Sequence, residues 1–343
     1  MSKAVRAVAQ EQKGPAMASE APLAFPPLPV LRARVTYRLL EATTLPPFKG
    51  ALLRGGFGYA FQRAACAPAC WGHAERCTAT LLCPYRQVFE TPHPEGVPEL
   101  HDLQDVPRPF VIEPPLDHKR HYAAGDALEF GLILIGRGID FLPYFLVGFA
   151  DLGQAGLGRA RAPARLERVE ALEPFRPVGM PVYQDGRVRE PAELPLLNLA
   201  ELPVHAARLA ADLRLELPTP LRVKARGAFI KHLDLAAIIQ AICWRVGALA
   251  VFHGPGAWNA DYRPVVEAAR AVRVERADLR WADWERTSTR GGQQRAMKLG
   301  GLIGSATLRE TPLDVRAALL AANVLHVGKA CVFGHGRVEV AQV

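Results

Sequence analysis

The sequence predicts an α+β protein of two domains in tandem, each following the β-α-β-β-α-β order of a ferredoxin-like unit, with a Cys-rich loop inserted in the first. Three observations carry that expectation. The chain has 343 residues, longer than one domain usually runs. Stretches of period-two alternation and of helical apolar spacing succeed one another in the same order twice. Hydrophobic residues make up 50% of the chain and charged residues 22%, enough apolar material for a sizeable core.

Residues 1–30 are rich in Ala, Pro and Glu without periodicity, and are expected to form a mobile tail. The first domain is expected over 31–217. Leu31 to Leu40 alternates, with Val35, Tyr37 and Leu39 on one face, and predicts a strand. Pro46-Pro47 breaks the chain, and from Lys49 to Ala65 the residues Leu52, Leu53, Phe57, Ala60 and Phe61 fall at helical spacing. The cysteine loop and a proline-rich connection through Pro115 follow. Asp126–Ile135 predicts a strand, Phe141–Leu152 a helix and Ala164–Leu172 a returning strand. The second domain is expected over 218–343, after Pro218 and Pro220. Its elements are a short strand Leu221–Arg226, an apolar helix Leu233–Phe252 and two basic strands around Arg270–Arg286 and Met297–Arg309 joined at Gly291-Gly292. A helix Leu313–Leu325, started by Pro312 and Asp314, and a terminal strand Arg337–Val343 close the unit.

Lys and Arg number 42 against 34 Asp and Glu, for a net charge of +8. That excess fits a polyanionic partner, because basic side chains on phosphates release condensed counterions; a solvated basic surface is the plain alternative. The N-terminus has scattered charges and no apolar core of a signal peptide, and no stretch reads as a membrane helix. A cytoplasmic protein without a membrane partner is expected. No HExxH, GxSxG or paired-carboxylate signature supports a metalloprotease or serine hydrolase.

Of six cysteines, Cys66, Cys70, Cys77 and Cys83 cluster, separated by three, six and five residues. Four thiolates suit tetrahedral zinc, and four reduced thiols are the alternative. Cys243 and Cys331 read as isolated packing thiols. Between the last helix and the last strand, Gly328, Gly334 and Gly336 with Lys329, His335 and Arg337 form a loop whose backbone could approach a phosphate chain; a plain turn is the other reading. Gly156-Leu-Gly-Arg-Ala-Arg161 echoes it at the corresponding place in the first half. The run from Arg286 to Lys298, with Arg290 and Arg295, holds four basic residues and no acid. As a hairpin it would offer arginines to a structured RNA, or be a solvated basic turn.

The C-terminal loop resembles the glycine-rich motif of the RAMP superfamily of CRISPR-associated proteins. Leu45–Gly58 (LPPFKGALLRGGFG), the clustered cysteines and Cys83–Glu90 (CPYRQVFE) are together similar to its precursor-CRISPR-RNA-processing endoribonucleases. The likeness runs patchily from Leu31 to Val343 and is thin between Pro92 and Pro218. In two places the chain departs from the pattern: His326 stands where the family usually has the motif's first glycine, and His335 fills its hydrophobic slot.

The resemblance implies tandem ferredoxin-like (RRM-like) domains. It implies a ribonuclease without catalytic metal that binds CRISPR repeat RNA, cuts once per repeat and releases crRNA. The chemistry is 2′-OH attack on the adjacent phosphate, leaving a 2′,3′-cyclic phosphate, and it requires a base, an acid and cations. The cysteines would be a structural zinc site, and CRISPR effector-complex subunits further partners. Many relatives place a catalytic histidine near the first helix, whereas this chain has none before His73. Lys49, Arg54 and His73 are therefore the catalytic candidates, with His232 as a further imidazole. A free lysine, titrating near 10.4, is a poor base unless its pKa is lowered. Two rival readings are a non-catalytic RAMP subunit that binds crRNA and a zinc-stabilised interaction module without a nucleic-acid role.

Overall fold

A computed structural model of the chain describes residues 22–71, 77, 83–189, 193–283, 285–288 and 295–343. Two antiparallel sheets each carry helices on one face. The first contains β1 (Pro29–Leu39), β2 (Phe110–Glu113), β3 (Ala127–Ile135), β4 (Ala164–Leu172) and β5 (Gly179–Gln184). Its order is β2-β3-β1-β4-β5, so the first four strands have the spatial order expected of a ferredoxin-like unit. Helices α1 (Gly50–Ala65) and α3 (Leu142–Ala155), with the short α2 (Pro84–Phe89), cover one face. The β1 alternation does what its pattern predicts: Leu31, Ala33, Val35, Tyr37 and Leu39 face these helices and are buried with Phe57, Phe61, Phe145 and Phe149.

The second sheet follows α4 (Leu202–Ala207). It contains β6 (Leu213–Leu221), β7 (Arg273–Ala282), β10 (Gly301–Arg309) and β11 (Glu339–Gln342), in the order β7-β10-β6-β11. This is the same arrangement as in the first sheet. Helices α5 (Leu235–His253), α6 (Arg263–Ala271) and α7 (Leu313–Leu325) pack on it. β8 (Glu285–Ser288) and β9 (Arg295–Lys298) pair with one another and extend the β7–β10 hairpin. The apolar α5 has the length and hydropathy of a membrane span, but 78% of its apolar window is buried inside the protein.

Three expectations need correction. The second domain's first strand is Leu213–Leu221, not Leu221–Arg226. Leu213, Leu215 and Leu217 alternate into the core, and Pro218 and Pro220 sit where the ladder to β10 breaks between Leu217 and Leu221. Proline is tolerated there because no ladder N–H is needed, so the prolines lie inside the strand rather than before it. The basic strand expected from Arg270 begins only at Arg273, because α6 occupies Arg263–Ala271. The expected tail over 1–30 is packed from Leu23 onward. Leu23, Phe25 and Leu28 are buried, the Leu23 N–H donates to Asp314 Oδ1 at 2.9 Å, and Trp258 stacks on Phe25 and donates to the Ala24 carbonyl at 2.8 Å. An extended strap has no helical or strand period to betray it.

The domains share a core. Val30, Val111, Ile133 and Ile135, on the back of the first sheet, belong to the cluster built around α5 and α7.

Candidate functional site

Two groups of candidate residues meet where the head of α1 abuts the C-terminal glycine loop. A Cβ on Gly50 would stand 2.1 Å from the Phe333 carbonyl oxygen and against the Phe48 ring. Phe48 in turn meets His335 edge-on, with ring centroids 5.2 Å apart. The Arg54 guanidinium lies over the rings of Phe89, Phe110 and Phe333, at 4.7, 5.4 and 5.8 Å.

Lys49, at the helix N-cap, is fully buried. Its Nζ lies 3.7 Å from Asp117 Oδ1, 3.4 Å from the Pro47 carbonyl and 5.7 Å from the Tyr122 ring centroid. Burial lowers its proton affinity and Asp117 partly restores it, leaving the pKa below the usual lysine value. Lys119 lies on the same ring at 4.6 Å and pairs with Asp126 at 2.8 Å. Burial, with Asp117 and Asp126 nearby, pushes the Tyr122 phenol up to about 12. The segment Asp117–Tyr122 also presents the exposed His118, Arg120 and His121, whose Nδ1 lies 3.2 Å from Thr44 Oγ1. Nothing in the order of the sequence connects this loop to Lys49, so it was missed. His73, the remaining catalytic candidate, lies outside the described residues.

The glycine loop is a packed joint rather than an open phosphate cradle. Gly334, His335 and Gly336 are buried, so these three candidate RNA contacts cannot touch a ligand here. A Cβ would meet the Ile112 carbonyl and Pro114 at Gly334, the Val327 carbonyl at Gly336 and the Arg222 carbonyl at Gly328. All three glycines have positive φ, which L side chains seldom adopt. Their role is the close approach of backbones. The amides of Lys329 and Gly336 donate to the carbonyls of Arg222 and Pro220, and that of Arg337 to Thr219 Oγ1. Lys329 is exposed and pairs with Asp105 at 3.1 Å.

At the centre of the joint stands Glu113, the last residue of β2. Its carboxylate receives Arg32 at 3.1 Å, His326 Nε2 at 3.0 Å and Arg337 at 3.8 Å, and Arg337 also reaches Glu339 at 2.7 Å. Gly131 on β3 makes room, since a Cβ there would meet Glu113 Oε2 at 2.5 Å. Burial alone would raise the Glu113 pKa; Arg32, the hydrogen bond with His326 and Arg337 overcome it and hold the carboxyl well below its usual range. His326 Nδ1 faces the His335 carbonyl at 2.9 Å. Both ring nitrogens therefore face oxygen atoms. The His326 backbone has φ 58 and ψ 164, a region populated almost only by glycine. Burial, then Arg222 and His326, push the His335 imidazole down to about 4.

Beside the joint, Lys224, Arg226, Lys231 and Arg280 are exposed and make no ion pair among the described residues. Phe229 lies among them, 4.6 Å from the Arg222 guanidinium and 6.4 Å from the Trp281 ring. The backbones of Arg286, Arg295 and Lys298 lie on the β8–β9 hairpin, where Glu285 pairs with Lys298 and Ser288 with Arg295; Arg290 lies outside the described residues. The cysteines approach one another. Burial, and then Cys83, Cys70 and Cys77, push the Cys66 thiol up to about 12, and Cys77 acts in the same way on Cys70. That donor chemistry suits zinc, although no cluster of three or more ligands with metal-site geometry occurs among the described residues.

Residues 215–338 match the family model of the CRISPR-associated endoribonuclease Cas6, and residues 28–194 match a model described as an N-terminal domain. No curated protein matches in sequence. Among solved structures, the chain is similar to a partial Cas6-RT-Cas1–Cas2 complex, with a TM-score of 0.56 and 15% identity over 93% of this chain and 47% of that one. The chain thus spans about half the length of that relative. A Cas6 product complex gives 0.53 and 17% over 92% and 100%, and Thermus thermophilus Cas6 gives 0.52 and 17% over 94% and 100%. Twin antiparallel sheets, each with helices on one face, are the fold that the chain shares with these solved structures. The likeness to the Cas6 endoribonuclease family is carried by residues 215–338.

Proposed function

We propose that the chain is an endoribonuclease that cuts CRISPR repeat RNA without metal and releases crRNAs ending in a 2′,3′-cyclic phosphate. The observation that carries this reading is Lys49: a buried amine of lowered proton affinity at the head of α1, beside Lys119 and Tyr122. A neutral amine there takes the proton of the attacking 2′-OH, and the neighbouring Lys119 stabilises the crowded phosphorane. Opening of the Asp117–Tyr122 segment exposes Lys49 to the strand. The repeat is gripped by the exposed cations around Phe229 and by the basic hairpin carrying Arg286, Arg290, Arg295 and Lys298, while Arg54 and His73 complete the catalytic set. The cysteine cluster holds a structural zinc, and other CRISPR proteins are partners, as in the Cas6-RT-Cas1–Cas2 complex.

One observation favours a second reading, a non-catalytic RAMP subunit that binds crRNA: Lys49 is fully buried. Incubation of labelled cognate repeat RNA with the protein in EDTA separates the two. Cutting at one position, with a product end that resists ligation until the cyclic phosphate is opened, supports the nuclease. Tight binding without cutting supports the subunit.

A further inference from the structure

The glycine–arginine loop that follows α3 occupies the place in the first domain that the C-terminal glycine loop occupies in the second. The two loops have diverged in use. The C-terminal one is buried in the joint between domains, whereas Gly156–Arg161 stands at the surface and walls a cleft of about 760 Å³. The cleft is floored by Leu45, Leu152 and Leu157, which are buried, and flanked by the partly buried Leu52 of α1. Gly56 and Gly158 keep it open, since a Cβ at either would press on Leu152 or Leu45.

Its rim is cationic. Arg120 and Arg159 are exposed and neither guanidinium makes an ion pair among the described residues. The loop is pinned by the reciprocal bonds between Leu157 and Ala162, at 2.8 and 3.0 Å, and by the Arg161 amide on the Gly158 carbonyl. The amides of Gly158, Arg159 and Ala160 have no acceptor among the described residues. With Gly158 at φ 72, this is the kind of turn in which successive N–H groups form an anion-binding concavity. An apolar slot beside two uncommitted guanidinium groups and open amides matches a nucleotide: the base against leucine, the phosphate against arginine and backbone.

We propose that this cleft is a subsite for one nucleotide of a single-stranded RNA segment, with Leu52 contacting the base and Arg120, Arg159 and the Gly158–Ala160 amides holding its phosphate. The inference rests on the RNA-binding reading above and adds a contact on the first domain, remote in sequence from the basic hairpin. Arg120 uses only its backbone carbonyl in the fold, accepting from Leu45 N–H, so its side chain is replaceable.

The test compares the intact chain with Arg120→Ala/Arg159→Ala and with Leu52→Gln, using labelled single-stranded RNA that carries the 5′ flank of the repeat, and heparin as a polyanion without bases. The arginine pair should weaken RNA binding about ten-fold and reduce the log–log salt slope by about 0.7, the contribution of one phosphate contact on a single strand. Leu52→Gln should weaken RNA and leave heparin binding unchanged, with thermal melting confirming that both variants are folded. RNA affinity and salt slope unchanged in the arginine pair, with the intact chain still binding, would overturn the subsite alone. Parallel losses of RNA and heparin binding in Leu52→Gln would overturn the base contact. Failure of the intact chain to bind RNA would overturn the subsite together with the reading it rests on.

Discussion

Glu113 and His326, 213 residues apart in sequence, meet at 3.0 Å across the joint between the two domains. The pair is sealed from water, with both residues buried, and Arg32 and Arg337 close the ring of charge around it. It ties the last strand residue before the Pro114-Pro115 turn to the start of the glycine loop, and so fixes how the two domains face one another.

Removing one partner leaves the others uncompensated. Glu113→Gln should cost about 3–5 kcal/mol in denaturant unfolding. The sign with pH follows from the depressed carboxyl: its stabilisation is complete above the unfolded value of 4.5 and is lost as pH falls below it toward the folded value. Unfolding curves of Glu113→Gln should therefore vary less below that pH than those of the intact protein. His326 adds a backbone test. At φ 58 and ψ 164, His326→Gly should be more stable than His326→Ala by about 1–3 kcal/mol, although both lose the ion pair. Equal stabilities would show that the backbone there is unstrained.

Two buried imidazoles make the fold acid-sensitive in a higher window. Burial pushes His253 and His335 down to about 4, so the unfolded chain binds protons that the folded one refuses. Stability is then complete above the usual histidine value of 6.5 and declines as pH falls toward 4. Replacing His253 with Gln, which can still donate to the Pro107 carbonyl that His253 reaches at 2.7 Å, should flatten the slope between those values. A slope identical to wild type would exclude His253 as a source.

Lys49→Met should separate chemistry from folding. An unmade buried ammonium costs the fold nothing, so stability at neutral pH should hold or rise, while cleavage should fall by about 10²–10⁴-fold. Because burial lowers the Lys49 pKa, the cleavage rate of the intact enzyme should climb with pH and level off below the ordinary lysine value of 10.5. Wild-type rates in Lys49→Met would remove Lys49 from the mechanism.

Purified protein should carry one zinc per chain if Cys66, Cys70, Cys77 and Cys83 act together, and Cys70→Ser should lose it. Metal analysis finding none in freshly purified wild type would leave four reduced thiols.

The sequence made legible what local pattern encodes. The alternation of Ala164–Leu172 reproduces β4 residue for residue, and α1, α3, α5 and α7 lie within a few residues of their apolar periods. Pro218 and Pro220 misled because proline reads as a break, while a strand with an interrupted ladder accepts it. Glu113 gave no signal: a lone carboxylate before two prolines, its partners are 81 and 213 residues away. The glycines at 328, 334 and 336 were visible, but glycine permits the approach of any backbone, and here that backbone belongs to the protein itself. The one visible clue was His326 in a glycine's place.

The most direct test of 2′-OH chemistry replaces the ribose at the scissile position of cognate repeat RNA with 2′-deoxyribose, in EDTA. The account predicts that the ribose substrate is cut and that the deoxy substrate binds equally well and stays whole. Cutting of the deoxy substrate, or cutting that appears only when metal is restored, would contradict it.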